Sequence, residues 1–219
     1  MKLILSIIVG LAIFLSGCGL TLPSKKEIEV PFTSQAPAGN WSEPWQNACE
    51  ETSIYMVSSF YAGDEIKQAE AIKRLREIFA VKAGDFKISQ DESLQTIADL
   101  IDTLELPWKT HIVYDPTIDD LKTELTLNNP IIVPVYAPAL SSIYPIASGA
   151  DYHVIVLTGY DDSDGVFIIN DPGTSNGKGI RIYYETFMSA IHDLNAVDYQ
   201  AGKKAVLFTE QQDGLDWFN

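Results

Sequence analysis

The hydrophobic period of this chain changes near Pro130. Before that point apolar side chains recur at helical spacing: Ile54, Val57, Phe60 and Tyr61, then Leu94, Ile97, Leu100, Ile101 and Leu104. After it come short β-branched and aromatic runs bounded by turn residues: Ile131 to Tyr136, His153 to Tyr160, Val166 to Asn170, Ile180 to Tyr184 and Lys204 to Phe208. Such runs read as strands, and Asp161-Asp162-Ser163-Asp164-Gly165 between two of them reads as a hairpin turn. Pro134 is expected to be tolerated as an edge residue of its strand. Helices first and strands later is the order of an α+β domain, with N-terminal helices packed on an antiparallel sheet. At 219 residues the chain is long enough for one sizeable core.

Helices are expected over about Ala48 to Tyr61, Ile66 to Phe79, Asp91 to Leu104 and Ile118 to Leu127. Asn47 with Glu50 three residues on fits a capping box for the first of them, and Gly63 supplies its stop. Trp41 and Trp45 flank the approach to Cys49; with Trp108 they line a cleft or, as the commoner alternative, pack in the core.

The N-terminus carries a different kind of signal. Lys2 precedes an apolar stretch from Leu3 to Leu15. At about 13 residues it falls short of the roughly 20 a spanning helix needs, but suits a signal peptide. It ends in Leu15-Ser16-Gly17-Cys18, which resembles a bacterial lipobox. That resemblance implies cleavage before Cys18 and lipidation of its thiol; the alternative is an uncleaved signal anchor with an incidental cysteine. On this reading residues 1–17 are a lipoprotein signal peptide and 18–29 a polar tether. A domain spanning 30–219 is then held outside the cytoplasm on a cell membrane through its lipid.

The formal net charge of −15 argues against nucleic acid, whose phosphates need basic side chains to displace counterions. It argues equally against a polybasic grip on anionic lipid. Of the two cysteines, lipid would consume Cys18, leaving Cys49 as a lone thiol in an oxidising compartment. Such a thiol is a liability unless it is buried or used.

Hydrolysis by cysteine needs a thiolate, a base, a group to orient the base, and oxyanion donors. Cys49 falls in the first turn of the expected helix, where the macrodipole favours thiolate and its own backbone N–H is free for an oxyanion. Glu50 and Glu51 oppose this, since nearby carboxylates raise a thiol pKa. The alternative for Cys49 is a small buried hydrophobe. Among three histidines, only His153 opens a strand whose hairpin partner delivers an aspartate. With the hairpin centred near residue 163, position 153 faces about 173 and Asp171 is a diagonal neighbour on the same face. Carboxylate and imidazole then meet, fixing tautomer and orientation. His111 and His192 have no such partner and read as structural or surface residues.

Four segments now carry a resemblance: Val30-Pro31-Phe32-Thr33-Ser34-Gln35; Asn47-Ala48-Cys49-Glu50-Glu51; His153 to Asp161; and Asn170-Asp171-Pro172. In this order they resemble the landmark segments of papain-clan cysteine peptidases related to the double-glycine leader peptidases of bacteriocin exporters, family 39 of the cysteine peptidases. The resemblance runs from about Val30 to Tyr184. It implies a papain-like fold, Cys49 as nucleophile, His153 as base and later acid, Asp171 as orienter and Gln35 as the oxyanion-hole glutamine. Gln46 is the alternative donor, being nearer to Cys49 in sequence. Many relatives follow the cysteine with Gly-Pro, where this chain has Glu50-Glu51; that resembles a stand-alone branch. No phosphate-binding Gly-x-x-x-x-Gly-Lys motif is present, so processing of double-glycine leaders does not carry over from peptidase–transporter fusions.

No cofactor is implied. Asp161 to Gly165 lacks the alternating ligands of a calcium loop, and paired His/Cys spacing for zinc is missing. The expected partner is a peptide or protein substrate. An amidase or transferase with the same chemistry, and an inactive surface module retaining the fold for binding, remain the alternatives.

Overall fold

The computed structural model describes residues 22–85, 91–140 and 150–212. The expected signal segment and Cys18 lie outside these residues. Among the described residues no helix is long and apolar enough to cross a membrane.

Among the described residues seven strands form one antiparallel sheet: β1 (Lys25–Glu27), β2 (Trp108–Tyr114), β3 (Ile131–Tyr136), β4 (Tyr152–Asp161), β5 (Val166–Asn170), β6 (Ile180–Tyr183) and β7 (Ala205–Gln211). Their order is β2-β7-β3-β4-β5-β6, with β1 on β4. The helices are α1 (Cys49–Ala62), α2 (Gln68–Asp85), α3 (Leu94–Thr103), α4 (Ile118–Thr126) and α5 (Tyr184–Ala190). The expected α+β arrangement of helices and antiparallel sheet is what the chain adopts.

β4 is buried along its whole length because neighbours cover both of its edges and α1 packs on it. One edge carries β5. The other is shared: β3 pairs with Tyr152 to Leu157, and β1 with Gly159 to Asp161. Gly159 permits the second contact, since a Cβ there would lie 2.5 Å from the Lys26 carbonyl oxygen. Residues 25–27, assigned to the tether by sequence, are therefore a strand, and the fold begins before Val30.

The β4–β5 hairpin decides which side chains meet. At the turn Asp161 pairs with Val166; beyond an irregularity between Leu157 and Gly159, Val156 pairs with Asn170. One extra residue, Thr158, is thus accommodated in β4 as a bulge. Without it the turn register would set Asp171 opposite Val156, on the face away from His153. With it, Asp171 continues opposite Ile155, two residues from His153 and on the same face. A one-residue slip exchanges the faces of a strand, and bulges re-aim side chains in this way beside functional sites.

Several sequence expectations need correction. α1 begins at Cys49, but Asn47 is not its cap: Ala48 holds that position with no side-chain bond. The Asn47 amide instead donates to Glu43 Oε1 at 2.6 Å, and Glu50 turns inward. Pro134 lies not on an edge strand but in β3, between β7 and β4. It is accommodated because the β7 ladder has already ended at Ile132; there His192 N donates to the Pro134 carbonyl at 3.1 Å, and no proline N–H is required. β2 and α5 were not foreseen. Gly63 ends α1 in the left-handed conformation as expected, while α3 starts later, with the Ser93 hydroxyl as its cap. Trp108 is core, Trp45 packs edge-on against Phe79 at 5.4 Å, and Trp41 is exposed.

Candidate active site

From Cys49 to Val57 every residue of α1 is buried. For the apolar ones this is ordinary packing against the sheet; for Cys49, Glu50, Glu51, Thr52 and Ser53 it is a polar first turn taken out of water. The turn is fastened to β4, where Ser53 Oγ donates to the Val154 carbonyl at 3.4 Å. The Val154 backbone amide acts on the Cys49 sulfur. The thiol therefore sits against the residue next to His153.

His153 and Asp171 are brought together, with Nε2 2.6 Å from Oδ1. Both are buried. The same Oδ1 accepts from Gly173 N at 2.6 Å, and Asp171 N donates to the Gly177 carbonyl at 2.8 Å. The turn after β5 is thus wrapped around its own carboxylate. Gly173 is required by space: a Cβ there would stand 2.9 Å from the imidazole ring. Because Nε2 faces the carboxylate, Nδ1 is the ring atom left for chemistry.

Burial sets the proton affinities of this pair. It pushes His153 down to about 4 and Asp171 up to about 7, the Gly173 N–H working against the latter. Considered as one unit, the pair binds a first proton near 7 and a second near 4. Above neutrality it is a neutral imidazole beside a carboxylate, the state a general base needs.

Of the two opposing effects expected on the thiol, the carboxylates prevail, with burial ahead of them. Burial, then the Glu50 charge and the hydrogen bond to it, push Cys49 well above its ordinary value; the Val154 amide opposes them. The helix N-terminus does not prevail over these effects. The hydrogen bond from Sγ runs to Glu50 Oε2 at 3.1 Å, not to the imidazole.

Gln35 lies between the two halves of the site. Its backbone N donates to the Pro172 carbonyl at 2.9 Å, and its side-chain Nε2 to the Gln46 carbonyl at 2.7 Å, in the turn leading to Cys49. Its Oε1 is buried without a hydrogen-bond partner. Gln46 is exposed, and its side chain is engaged by Glu43. His111, on β2, stacks edge-on against Phe208, and the His192 ring faces Tyr136. Asp161 is held by Arg181, Lys25 and the Ser163 hydroxyl.

One group of residues beside the site was not legible in sequence. Lys82, near the end of α2, places its ammonium 2.7 Å from Glu51 and 3.2 Å from Glu92. Glu92 N donates to Glu50 Oε1 at 3.0 Å, and Tyr152 OH to the Glu92 carbonyl at 2.7 Å. Only Glu50 and Glu51 announced themselves, by standing next to a cysteine at a helix start.

This cluster makes stability depend on pH. Burial, together with the Glu51 charge, raises Glu50 from 4.5 to about 8. A carboxyl with a raised folded pKa supports the fold fully below 4.5 and withdraws that support as pH climbs to about 8. The His153–Asp171 pair adds little, since about 7 and about 4 lie close to the ordinary 6.5 and 3.8. Urea denaturation should therefore give about 3 kcal/mol less stability at pH 8 than at pH 5, at roughly 1.4 kcal/mol per pKa unit. A flat profile would show that Glu50 ionises as easily in the fold as outside it.

The sequence matches the Peptidase_C39 like family over residues 27–202. The chain belongs to that family. Gln35, Cys49, Glu50, His153 and Asp171 all fall inside the matched span. A crystal structure from Bacillus anthracis described as a C39-like peptidase superposes with a TM-score of 0.51 at 16% identity. It covers 86% of this chain and 99% of that one, a likeness of fold. No curated protein matches the sequence. Membership of this C39-like family supports cysteine peptidase activity and a peptide or protein substrate.

Proposed function

We propose that this chain is a membrane-anchored, extracytoplasmic cysteine peptidase of papain-like design that works through an acyl-thioester. The observation that carries the reading is the buried His153–Asp171 pair, 2.6 Å apart, whose histidine stands on the strand against which the Cys49 turn packs. Nδ1 of His153 takes the thiol proton as Sγ attacks the substrate carbonyl carbon. Gln35 Nε2 and the Cys49 backbone N–H receive the oxyanion. The tetrahedral intermediate collapses with cleavage of C–N, and the imidazolium returns the proton to the leaving amine. Water, deprotonated by His153, then attacks the thioester; the C–S bond breaks and Sγ recovers its proton. Asp171 holds the imidazole and stabilises its protonated form. Lipidation at Cys18 would hold this chemistry on a cell membrane outside the cytoplasm, a reading supported by the apolar stretch and Leu-Ser-Gly-Cys sequence at the N-terminus.

A second reading, a surface module that binds without cutting, is favoured by the buried thiol bonded to Glu50. One experiment separates the two. The soluble domain is incubated with a diverse peptide mixture and new termini are read by mass spectrometry, in parallel with labelling by a peptidyl chloromethyl ketone. Cleavage and labelling are expected, with a loss of about 10³-fold or more in Cys49→Ala and His153→Ala. No cleavage, together with labelling that His153→Ala leaves unaltered, would establish the binding module. Cleavage products carrying an amine in place of water would establish a transferase.

A further inference from the structure

Glu50 takes no part in the scheme above, yet it is the residue the Cys49 thiol touches. It is 0% exposed. Its carboxyl spans two partners, with Oε2 accepting from Cys49 Sγ at 3.1 Å and Oε1 from Glu92 N at 3.0 Å. The nearby cation is committed elsewhere, because Lys82 Nζ is shared between Glu51 and Glu92. A carboxyl buried in this way is expensive to keep. A glutamine would fill the same space and accept from the same Glu92 N–H at less cost, so structure alone calls for an acceptor here but not for an acid.

The geometry gives one. A thiol has a single proton to donate, and this one is given to Oε2 of Glu50, while the base the reaction needs, Nδ1 of His153, belongs to the strand on which α1 packs and is left uncommitted by the Nε2–Asp171 contact. The proton is directed at Glu50. While it stays there, His153 cannot take it, and the sulfur cannot become a nucleophile through the imidazole. The Glu92 amide pins the far oxygen, so the carboxyl is held on the thiol rather than free to swing away.

We propose that Glu50 is a latch on the nucleophile: it holds the Cys49 thiol protonated and turned from His153 in the resting protein. The inference rests on Cys49 being the nucleophile of the proposed peptidase. Release needs rotation about the Cys49 Cα–Cβ bond, after which the proton passes from Sγ to Nδ1 and thiolate and imidazolium form together; no other bond changes. A peptide seated against the site, desolvating it and presenting its carbonyl, is the event that makes the rotated state worthwhile. The resting enzyme is thereby kept from thiol oxidation in the compartment to which its N-terminus directs it.

The titratable groups around the thiol come from every packed element. Glu50 and Glu51 on α1 act on the thiol directly, and the thiol acts on the Tyr152 hydroxyl of β4; Lys82 on α2 and Glu92 before α3 pair in the cluster next to Glu51, with Asp91 beside them, and His153 on β4 pairs with Asp171 after β5. Asp193, after α5, acts with Glu50 on the Tyr152 hydroxyl. Of these, Glu50 alone hydrogen-bonds to the sulfur among the described residues.

The test is the pH dependence of Cys49 alkylation by iodoacetamide, a reagent small enough to read the resting thiol, on the soluble domain. In Glu50→Gln the amide oxygen can keep the Glu92 N–H while Nε2 turns a donor toward sulfur, reversing the sense of the bond and favouring thiolate. The apparent thiol pKa should fall by at least a unit, and alkylation above about pH 8, where Glu50 is ionised and accepts the thiol proton, should quicken about tenfold. An unshifted or raised pKa in a folded Glu50→Gln overturns the latch. Should that variant not fold, His153→Ala decides. A latched thiol keeps its apparent pKa when the imidazole is removed, whereas a shift would mean the thiol is already paired with His153. A role of Glu50 confined to packing would alter melting temperature and leave the Glu50→Gln profile unmoved, which overturns the latch. Failure here leaves the peptidase reading intact, because cleavage and peptidyl labelling are measured separately; failure of those leaves the alkylation result standing.

Discussion

Lys82→Met should destabilise the protein by about 3–5 kcal/mol, the usual consequence of removing one partner from a buried ionic group. The Lys82, Glu51 and Glu92 side chains are 8%, 2% and 7% exposed, so water does little to screen them. Burial alone would lower the lysine pKa, but Glu51 and Glu50 outweigh it and hold the ammonium above its ordinary value. Take the ammonium away and two carboxylates remain, close to a third on Glu50, with Glu51 Oε2 already lacking a hydrogen-bond partner. Their proton affinities must then rise further. By the same linkage as for Glu50, the deficit in Lys82→Met should be larger at pH 8 than at pH 5. Adding Glu51→Gln should recover part of the loss, because the two sites share one interaction and their effects cannot be additive. Urea denaturation of the single and double variants at both pH values checks this. A loss below about 1 kcal/mol for the single variant would mean that the pair merely offsets its own desolvation.

How much of this was legible beforehand depends on what kind of signal each feature leaves. α3 and α4 declared themselves by apolar spacing, because burial of one face imposes a period on the sequence, α1 by the spacing of its second half, and β3 to β7 by β-branched and aromatic runs, because buried strands are filled with such residues. β2 reads Trp-Lys-Thr-His-Ile-Val-Tyr with mixed exposure. It lies at the outer end of the sheet, where only one edge is paired and little periodicity is enforced. β1 is three residues long, too short to carry a period at all; its existence depends on Gly159 leaving room on a distant strand. The His153–Asp171 meeting followed from counting residues through one hairpin. That count agreed with the structure because taking the turn centre at residue 163 reproduces the register beyond the Thr158 bulge, although the turn itself pairs Asp161 with Val166. That sequence left the proton affinity of Cys49 undecided has a clear cause. Sequence identified a helix N-terminus and two acids, but their relative strength depends on burial, which local pattern does not report. Lys82 was invisible for a related reason: its contact with Glu51 spans 31 positions, and nothing local marks a lysine as buried.

Asp171→Ala and Asp171→Asn should part company in activity, and their difference tells orientation from charge. Alanine removes the oxygen that receives both His153 Nε2 and Gly173 N. The imidazole loses its restraint, two buried N–H groups lose their acceptor, and kcat/KM should fall by about 10²-fold or more, the scale of a misplaced reacting group. Asparagine retains an oxygen that can accept from both donors, and papain-like enzymes run on a Cys-His-Asn set; the loss should stay within about tenfold. The pH profile should change more than the rate. In the native protein the pair gains its first proton near 7, so the acid limb of kcat/KM is expected there, where the carboxylate that stabilises the imidazolium disappears. In Asp171→Asn only the imidazole titrates, and burial holds it near 4; the acid limb should move down by a unit or more. Rate profiles on a peptide identified from the cleavage screen measure both quantities. If Asp171→Asn proves as damaging as Asp171→Ala, with its acid limb unmoved, the carboxylate charge rather than ring orientation carries the contribution of this residue. The wrapped turn around Oδ1 would then serve to keep that charge buried beside the imidazole.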